Sequence, residues 1–235
     1  MPISYVGAGS AVQTGTTTLT LAGHASSQPN DIHLAHIISI NNTAISAPDA
    51  TWFEISQANF TGSRGAVFWK RITAAGAGSY AFTVGGTTTS YGIVTSHRGC
   101  KVNGRPYGTS TTSSNASADA ITYATITPFS NNGSLIAVGF YAEDLTTGGT
   151  VSGAVYTFAA PDVDVEQATL EDASIFVSIA PMTTNAASGA LTQATTSTAD
   201  AVNQGILIDL MSLETEAGGG AGGVTYPRID RLRFR

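Results

Sequence analysis

Charge is what this sequence has least of. Of 235 residues only 11% are charged, against about 25% in an ordinary globular domain. Ser and Thr take up the difference, at about a quarter of the chain. The apolar share is a normal 42%. That argues against disorder, because disordered chains typically combine high net charge with too few apolar residues to bury. A single cysteine, Cys100, excludes an intrachain disulfide framework and a multi-cysteine zinc site. No apolar run reaches the length of a membrane span, and the longest, around Leu135 to Ala142, is strand-sized. Met1-Pro2-Ile3-Ser4-Tyr5-Val6 has no basic region leading into an apolar one. No secretory signal is therefore expected, and folding in a cytosol is.

Catalytic signatures are also missing. The chain has no Walker loop, no dinucleotide-binding glycine fingerprint, no G-x-S-x-G elbow and no H-E-x-x-H pair. His33 and His36 would align on a helix, but on a strand they point to opposite faces, which argues against a shared metal. The expectation is His36 in or near the core and His33 outside. His97 and Cys100 are close enough in sequence for a nucleophile pair, yet no third orienting group is visible. Asp162, Asp164 and Glu166 alternate without the glycine or spacing of a calcium loop. The pairs Glu143-Asp144 and Glu171-Asp172 are adjacent, and neighbours on a strand diverge. No catalytic residue, metal or cofactor is expected.

What is present is period-two patterning. In Asp31–Ile40, Ile32, Leu34, Ile38 and Ile40 form one apolar face. Runs rich in β-branched and aromatic residues follow at 51–55, 66–72, 80–84, 91–96, 121–126, 135–141, 155–158, 174–179 and 206–213. Turn-forming segments such as Gly85-Gly86 and Asn131-Asn132-Gly133 separate them. This predicts an all-β fold, a β-sandwich or jelly-roll-like domain over residues 1–216. The best helix candidate is the acidic stretch from Asp164 to Asp172. A faint echo links Asn30-Asp31-Ile32-His33-Leu34 to Asn132-Gly133-Ser134-Leu135-Ile136, which leaves two similar halves open. Trp69 reads as a core anchor, and Trp52 as core or as a platform for a sugar.

Residues 217–223 are almost free of side chains and read as a linker. Beyond it, residues 228–235 hold four Arg and one Asp, whereas the other 227 residues hold six Lys and Arg against fifteen Asp and Glu. An acidic body repels phosphate backbones, so no nucleic-acid partner is expected. The arm of residues 224–235 alternates at its end, with Arg231, Arg233 and Arg235 on one side and Leu232 and Phe234 on the other. Such a segment suits strand addition to a partner's sheet edge. Tyr226, Arg228, Ile229, Arg231, Leu232, Arg233, Phe234 and Arg235 are its candidate partner-binding residues.

The order of Pro29–Ile37, Ala50–Glu54 with Trp52, Ala66–Arg71 with Trp69, Ser79–Val84 and His97-Arg98-Gly99 resembles the jelly-roll-like β-sandwich modules of tailed-bacteriophage virion structural proteins. The resemblance spans roughly residues 1–213 and does not include the arm. It implies a non-enzymatic virion protein, a head decoration (cement) protein or a neck or tail appendage, assembled in the host cytoplasm. Its partners would be other virion subunits and copies of itself, with no membrane. A lectin-like module for host surface glycans is the alternative, with Trp52 and Tyr107 as stacking platforms.

Overall fold

The computed structural model describes residues 2–213 apart from 11, 61, 86–88, 116–119, 143–150, 157–163, 171–172, 183–186, 189–190 and 198–201. Among the described residues the chain is all-β, with sixteen strands and no helix. The first eight are β1 (Ser4–Ala8), β2 (Val12–Thr14), β3 (Thr18–Leu21), β4 (Ile32–Ser39), β5 (Phe53–Phe60), β6 (Ser63–Arg71), β7 (Tyr80–Thr83) and β8 (Ser90–Arg98). The rest are β9 (Tyr107–Asn115), β10 (Ala120–Tyr123), β11 (Ser134–Ala142), β12 (Val151–Tyr156), β13 (Asp164–Leu170), β14 (Ala173–Pro181), β15 (Leu191–Ser197) and β16 (Val202–Leu210). The acidic stretch expected to be helical is instead β13, paired antiparallel with β14 from Asp164↔Ile179 to Leu170↔Ala173. Tertiary pairing outweighs the weak local helical preference there.

Strands 1 to 8 form a sheet ordered β1-β8-β4-β6-β5, with β2 also on β8, and a separate pair β3-β7. Strands 9 to 16 form a sheet ordered β9-β16-β11-β14-β13 and a three-stranded sheet β10-β15-β12. Replacing β1, β8, β4, β6 and β5 by β9, β16, β11, β14 and β13 reproduces the same path, and β3-β7 corresponds to β10-β15. Details recur as well. The only non-glycine residues with positive φ among those described, Asn30 (74°) and Asn132 (61°), each lie two residues before the central strand of their sheet. The N–H of Ile72 donates to Asp31 O at 2.9 Å, and the N–H of Met182 donates to Gly133 O at 2.9 Å. Gly92 lies under Leu19 and Leu21 of β3, as Gly205 lies under Ile121 and Tyr123 of β10. A Cβ at Gly205 would stand 2.4 Å from Ile121 Cγ2, so only glycine lets the outer sheet settle onto β16.

The two large sheets pack face to face. Ile32, Leu34 and Ile38 of β4, Val67 of β6 and Ile93 of β8 meet Ile136, Val138 and Phe140 of β11, Ile175 and Val177 of β14, and Ile206 and Ile208 of β16. Outer layers cover the opposite faces. Leu19, Leu21 and Phe82 from β3-β7 lie against Ala35, Ile37 and Phe68. Ile121, Tyr123 and Leu191 lie against Leu135, Tyr141 and Leu207. Every residue of β4 is buried as a result, which corrects the expectation of an exposed His33. A strand covered on both sides needs no polar face.

Asp31, 2% exposed, sits just before β4. Arg98 at the end of β8 clasps it with Nε on Oδ1 at 2.9 Å and Nη2 on Oδ2 at 2.7 Å. The Gln28 N–H donates to Oδ2 at 2.8 Å. Arg98→Ala strands this buried carboxylate and is expected to cost about 2–3 kcal/mol, less than the roughly 3–5 kcal/mol of a fully buried pair because the guanidinium is partly exposed. Urea unfolding measures it. Arg98→Lys should recover only part of the loss, since an ammonium keeps the charge and loses the fork.

Candidate functional site

The histidines that the sequence singles out do not form a reactive centre. On the outer face of β4, Ser27 Oγ donates to His24 O at 2.7 Å and so accepts from His33 Nε2 at 2.8 Å. That leaves His33 Nδ1 to accept from the Tyr80 hydroxyl, 3.2 Å away. On the inner face, between the large sheets, Thr95 Oγ1 lies 2.9 Å from both His36 Nε2 and His97 Nε2. One hydroxyl can donate to one ring and accept from the other, so the ring that accepts must be neutral, while Nδ1 of each ring is buried without a hydrogen-bond partner among the described residues. Burial pushes His36 and His97 down to about 3, and their mutual repulsion adds to the effect on His36. Burial lowers His33 to about 4 against the opposing pull of Asp31. Cys100 Sγ approaches the backbone oxygen of His97 at 4.0 Å rather than its ring. Burial pushes this thiol up to about 12, so it is inert. No group of three His, Cys, Asp or Glu among the described residues is placed to hold a metal.

One end of the sandwich is chemically different from the rest. There β4, β5, β9 and β11 begin, and β6, β8, β14 and β16 end. Backbone bonds tie the two halves together at this end. The Ile3 N–H donates to Asn132 O at 3.1 Å, Lys101 N–H to Met211 O at 2.8 Å and Leu213 N–H to Gly99 O at 3.0 Å. The large apolar side chains exposed among the described residues are Phe53, Val102, Phe129 and Leu213, all at this end. Phe53, 50% exposed, opens β5 and stacks on Trp69 with centroids 4.9 Å apart. Phe129 is 64% exposed, and its N–H donates to Asp209 Oδ2 at 2.6 Å. Asp209 is fully buried beneath it, and burial raises its carboxyl to about 6 against the opposing effect of that bond.

The cations gather at the same end. Of the six Lys and Arg before the linker, Lys70, Arg71, Arg98, Lys101 and Arg105 lie here, and Arg64 lies at the far end of β6. Arg98 is committed to Asp31, and Lys70 lies 3.7 Å from Asp49. The Arg71 guanidinium donates to the carbonyls of Lys101 at 2.6 Å and Asn30 at 3.4 Å, which fixes the connection between the halves. Arg105 donates to Gly108 O at 2.7 Å and covers the Tyr107 ring at 4.8 Å. The halves also differ in charge. Residues 1–105 hold six Lys and Arg against three Asp and Glu. Residues 106–216 hold twelve Asp and Glu and no Lys or Arg.

The sequence-derived candidates fall unevenly on this picture. Trp52 is 4% exposed, packed edge-on against Tyr80 and Phe82 at 4.8 and 5.1 Å. It is a core residue and offers no face to a sugar. Tyr107 is half-buried at the unusual end, one ring face already taken by Arg105. The arm residues Tyr226, Arg228, Ile229, Arg231, Leu232, Arg233, Phe234 and Arg235 lie outside the described residues, as do Asp162, Glu143, Asp144, Glu171 and Asp172. Leu213, the last described residue, stands at the same end as Phe53 and Phe129. Sequence reading missed Phe53, Val102, Phe129 and Leu213. The available signal was Phe129 inside Thr127-Pro128-Phe129-Ser130-Asn131-Asn132, an aromatic in a turn-forming stretch. Comparison of the chain with protein-family models, with curated proteins and with solved structures finds no match.

Proposed function

We propose that the protein is a non-enzymatic structural component of a bacteriophage virion, a head decoration (cement) protein or a neck or tail appendage. It assembles in the host cytoplasm and joins neighbouring subunits, its own copies included, through one end of the sandwich and the basic arm beyond it. One observation carries the reading. Among the described residues, the exposed large apolar side chains and five of the six body cations crowd the end at which the last described residue, Leu213, stands. Apolar anchors beside charged groups are the composition of protein interfaces, and they are costly to leave in water without a partner. Glycan recognition is the weaker reading, since Trp52 is buried and Arg105 already takes one face of the Tyr107 ring.

Deleting residues 217–235 is expected to leave a folded body, with thermal unfolding unchanged, that no longer enters particles. Occupancy measured on purified virions tests this. A truncated protein incorporated at normal occupancy removes the arm from the docking mechanism.

A further inference from the structure

We infer that Asp209 and Phe129 form a receptor for an arginine of the arm, residues 224–235, of a neighbouring copy. The inference deepens the assembly reading above and rests on it. The repeat of the fold supplies the first observation. In the first half, β1 shifts register against β8 before Gly7, which faces Ser96, and Ser96 Oγ accepts the His24 N–H at 3.2 Å. In the second half, β9 shifts register against β16 between Ile208 and Leu210, and Asp209 Oδ2 accepts the Phe129 N–H at 2.6 Å. A glycine makes room at both places. A Cβ on Gly7 would stand 2.6 Å from the His24 ring, and one on Gly108 would stand 2.6 Å from Asp209 Oδ2. Asp209 and Phe129 thus occupy the positions of Ser96 and His24. A neutral hydroxyl performs the structural task in the first half, so the fold has no need of a charge there.

The second observation is the oxygen left over. Asp209 is fully buried, and its Oδ1 has no hydrogen-bond partner among the described residues. Such an oxygen costs stability until a donor reaches it. Arg105 is spent on Gly108 O and on the Tyr107 ring. A guanidinium from outside supplies the missing donor and the missing charge together. Phe129 lies over the carboxylate with 64% of its surface exposed. Its ring can move aside with little packing lost and then cover the planar cation. The third observation is reach. Leu213 stands at this end, and the fifteen residues from 214 to 228 span up to about 50 Å when extended. That is enough to carry the four Arg of the arm to an adjoining body. Each copy then holds one arm and one receptor, so the contact is heterologous and repeats from copy to copy.

Sedimentation velocity on the full chain tests this. The wild type is expected to associate as its concentration rises. Asp209→Ser installs the residue that the first half uses, and should weaken association at least about tenfold with thermal unfolding retained. Changing Arg228, Arg231, Arg233 and Arg235 together to Ala should weaken it equally. An equimolar mixture of the two variants should form heterodimers, because one supplies the arm and the other the receptor. If Asp209→Ser lowers the unfolding temperature, Phe129→Ser replaces it in the mixture. A wild-type chain that is monomeric at every concentration overturns the inference, and so does a mixture that stays monomeric. Association that survives Asp209→Ser but not the arginine changes places the arm elsewhere on the body. The receptor inference then fails while the assembly reading stands.

Discussion

Acidification from pH 6.5 to about 4 is expected to unfold the protein cooperatively, with the loss of stability carried by three buried imidazoles. His33, His36 and His97 are held neutral in the folded chain, with values lowered to about 4, 3 and 3. In the unfolded chain they titrate at the ordinary 6.5. Between those values the unfolded state binds more protons than the folded one, so stability rises with pH and is lost as pH falls. Each imbalance of one proton is worth about 1.4 kcal/mol per pH unit. Asp209 acts in the opposite sense. Its folded value is raised to about 6, so between 3.8 and 6 the folded state holds the extra proton and acidification favours folding. Three protons against one leave a net slope of about 3 kcal/mol per pH unit below pH 5.5. Two units of that slope, about 6 kcal/mol, reach the lower end of the stability of an ordinary domain, about 5–15 kcal/mol. Fluorescence of the buried Trp52 and Trp69 against pH gives the curve. His36→Leu keeps an apolar filler between the sheets and leaves Thr95 its bond to His97. Its stability should fall about 1.4 kcal/mol less per pH unit. An unchanged slope would remove His36 from the account.

Truncating Phe140 is expected to be the most damaging single change to the interior. The ring is fully buried on β11 between the large sheets, and Phe→Ala at such sites costs about 3–5 kcal/mol through lost burial and the cavity left behind. Its position also explains a glycine. A Cβ on Gly65 of β6 would stand 2.6 Å from Phe140 Cδ2 and 2.3 Å from Gln204 Oε1. Gly65→Ala therefore overpacks the same contact and should cost about 1–3 kcal/mol. The two changes are coupled, since the cavity left by Phe140→Ala receives the new methyl. The double variant should be more stable than the sum of the singles predicts, by at least about 0.5 kcal/mol in chemical denaturation. Strict additivity would mean that the sheets shift apart instead of interlocking here.

The all-β class was legible because one-sided and two-sided strands both leave short β-branched runs between turn residues. The run at 135–141 corresponds to β11 and the run at 174–179 to β14. Edge strands were not legible. In β9, Tyr107–Asn115, eight of nine residues are Gly, Ser, Thr or Asn, so the strand exists by pairing with β16 and carries little apolar signal of its own. β13 reads as acidic helix because alternation of Val with Asp and Glu is too short to declare its period. His33 was misplaced because a single apolar face was assumed for a strand that has an outer layer over it. The interaction surface was hidden for a different reason. Phe53 and Phe129 lie 76 positions apart in sequence, and only the shared end of two packed sheets puts them on one side of the molecule.

The repeated strand path has a consequence for synthesis on the ribosome. Every partner of β1 to β8 lies within residues 4–98, so the first sheet can close before β9 is made. At about 5–20 residues per second, the roughly 110 residues of the second half take about 5–20 s to emerge. Throughout that interval Leu34, Ile38, Val67 and Ile93 have no opposing sheet, and they form a flat apolar face on a nascent chain. Nearby ribosomes on one message would present identical faces to one another. The yield of soluble protein should therefore depend on how fast the second half is translated, even where the finished molecule is equally stable.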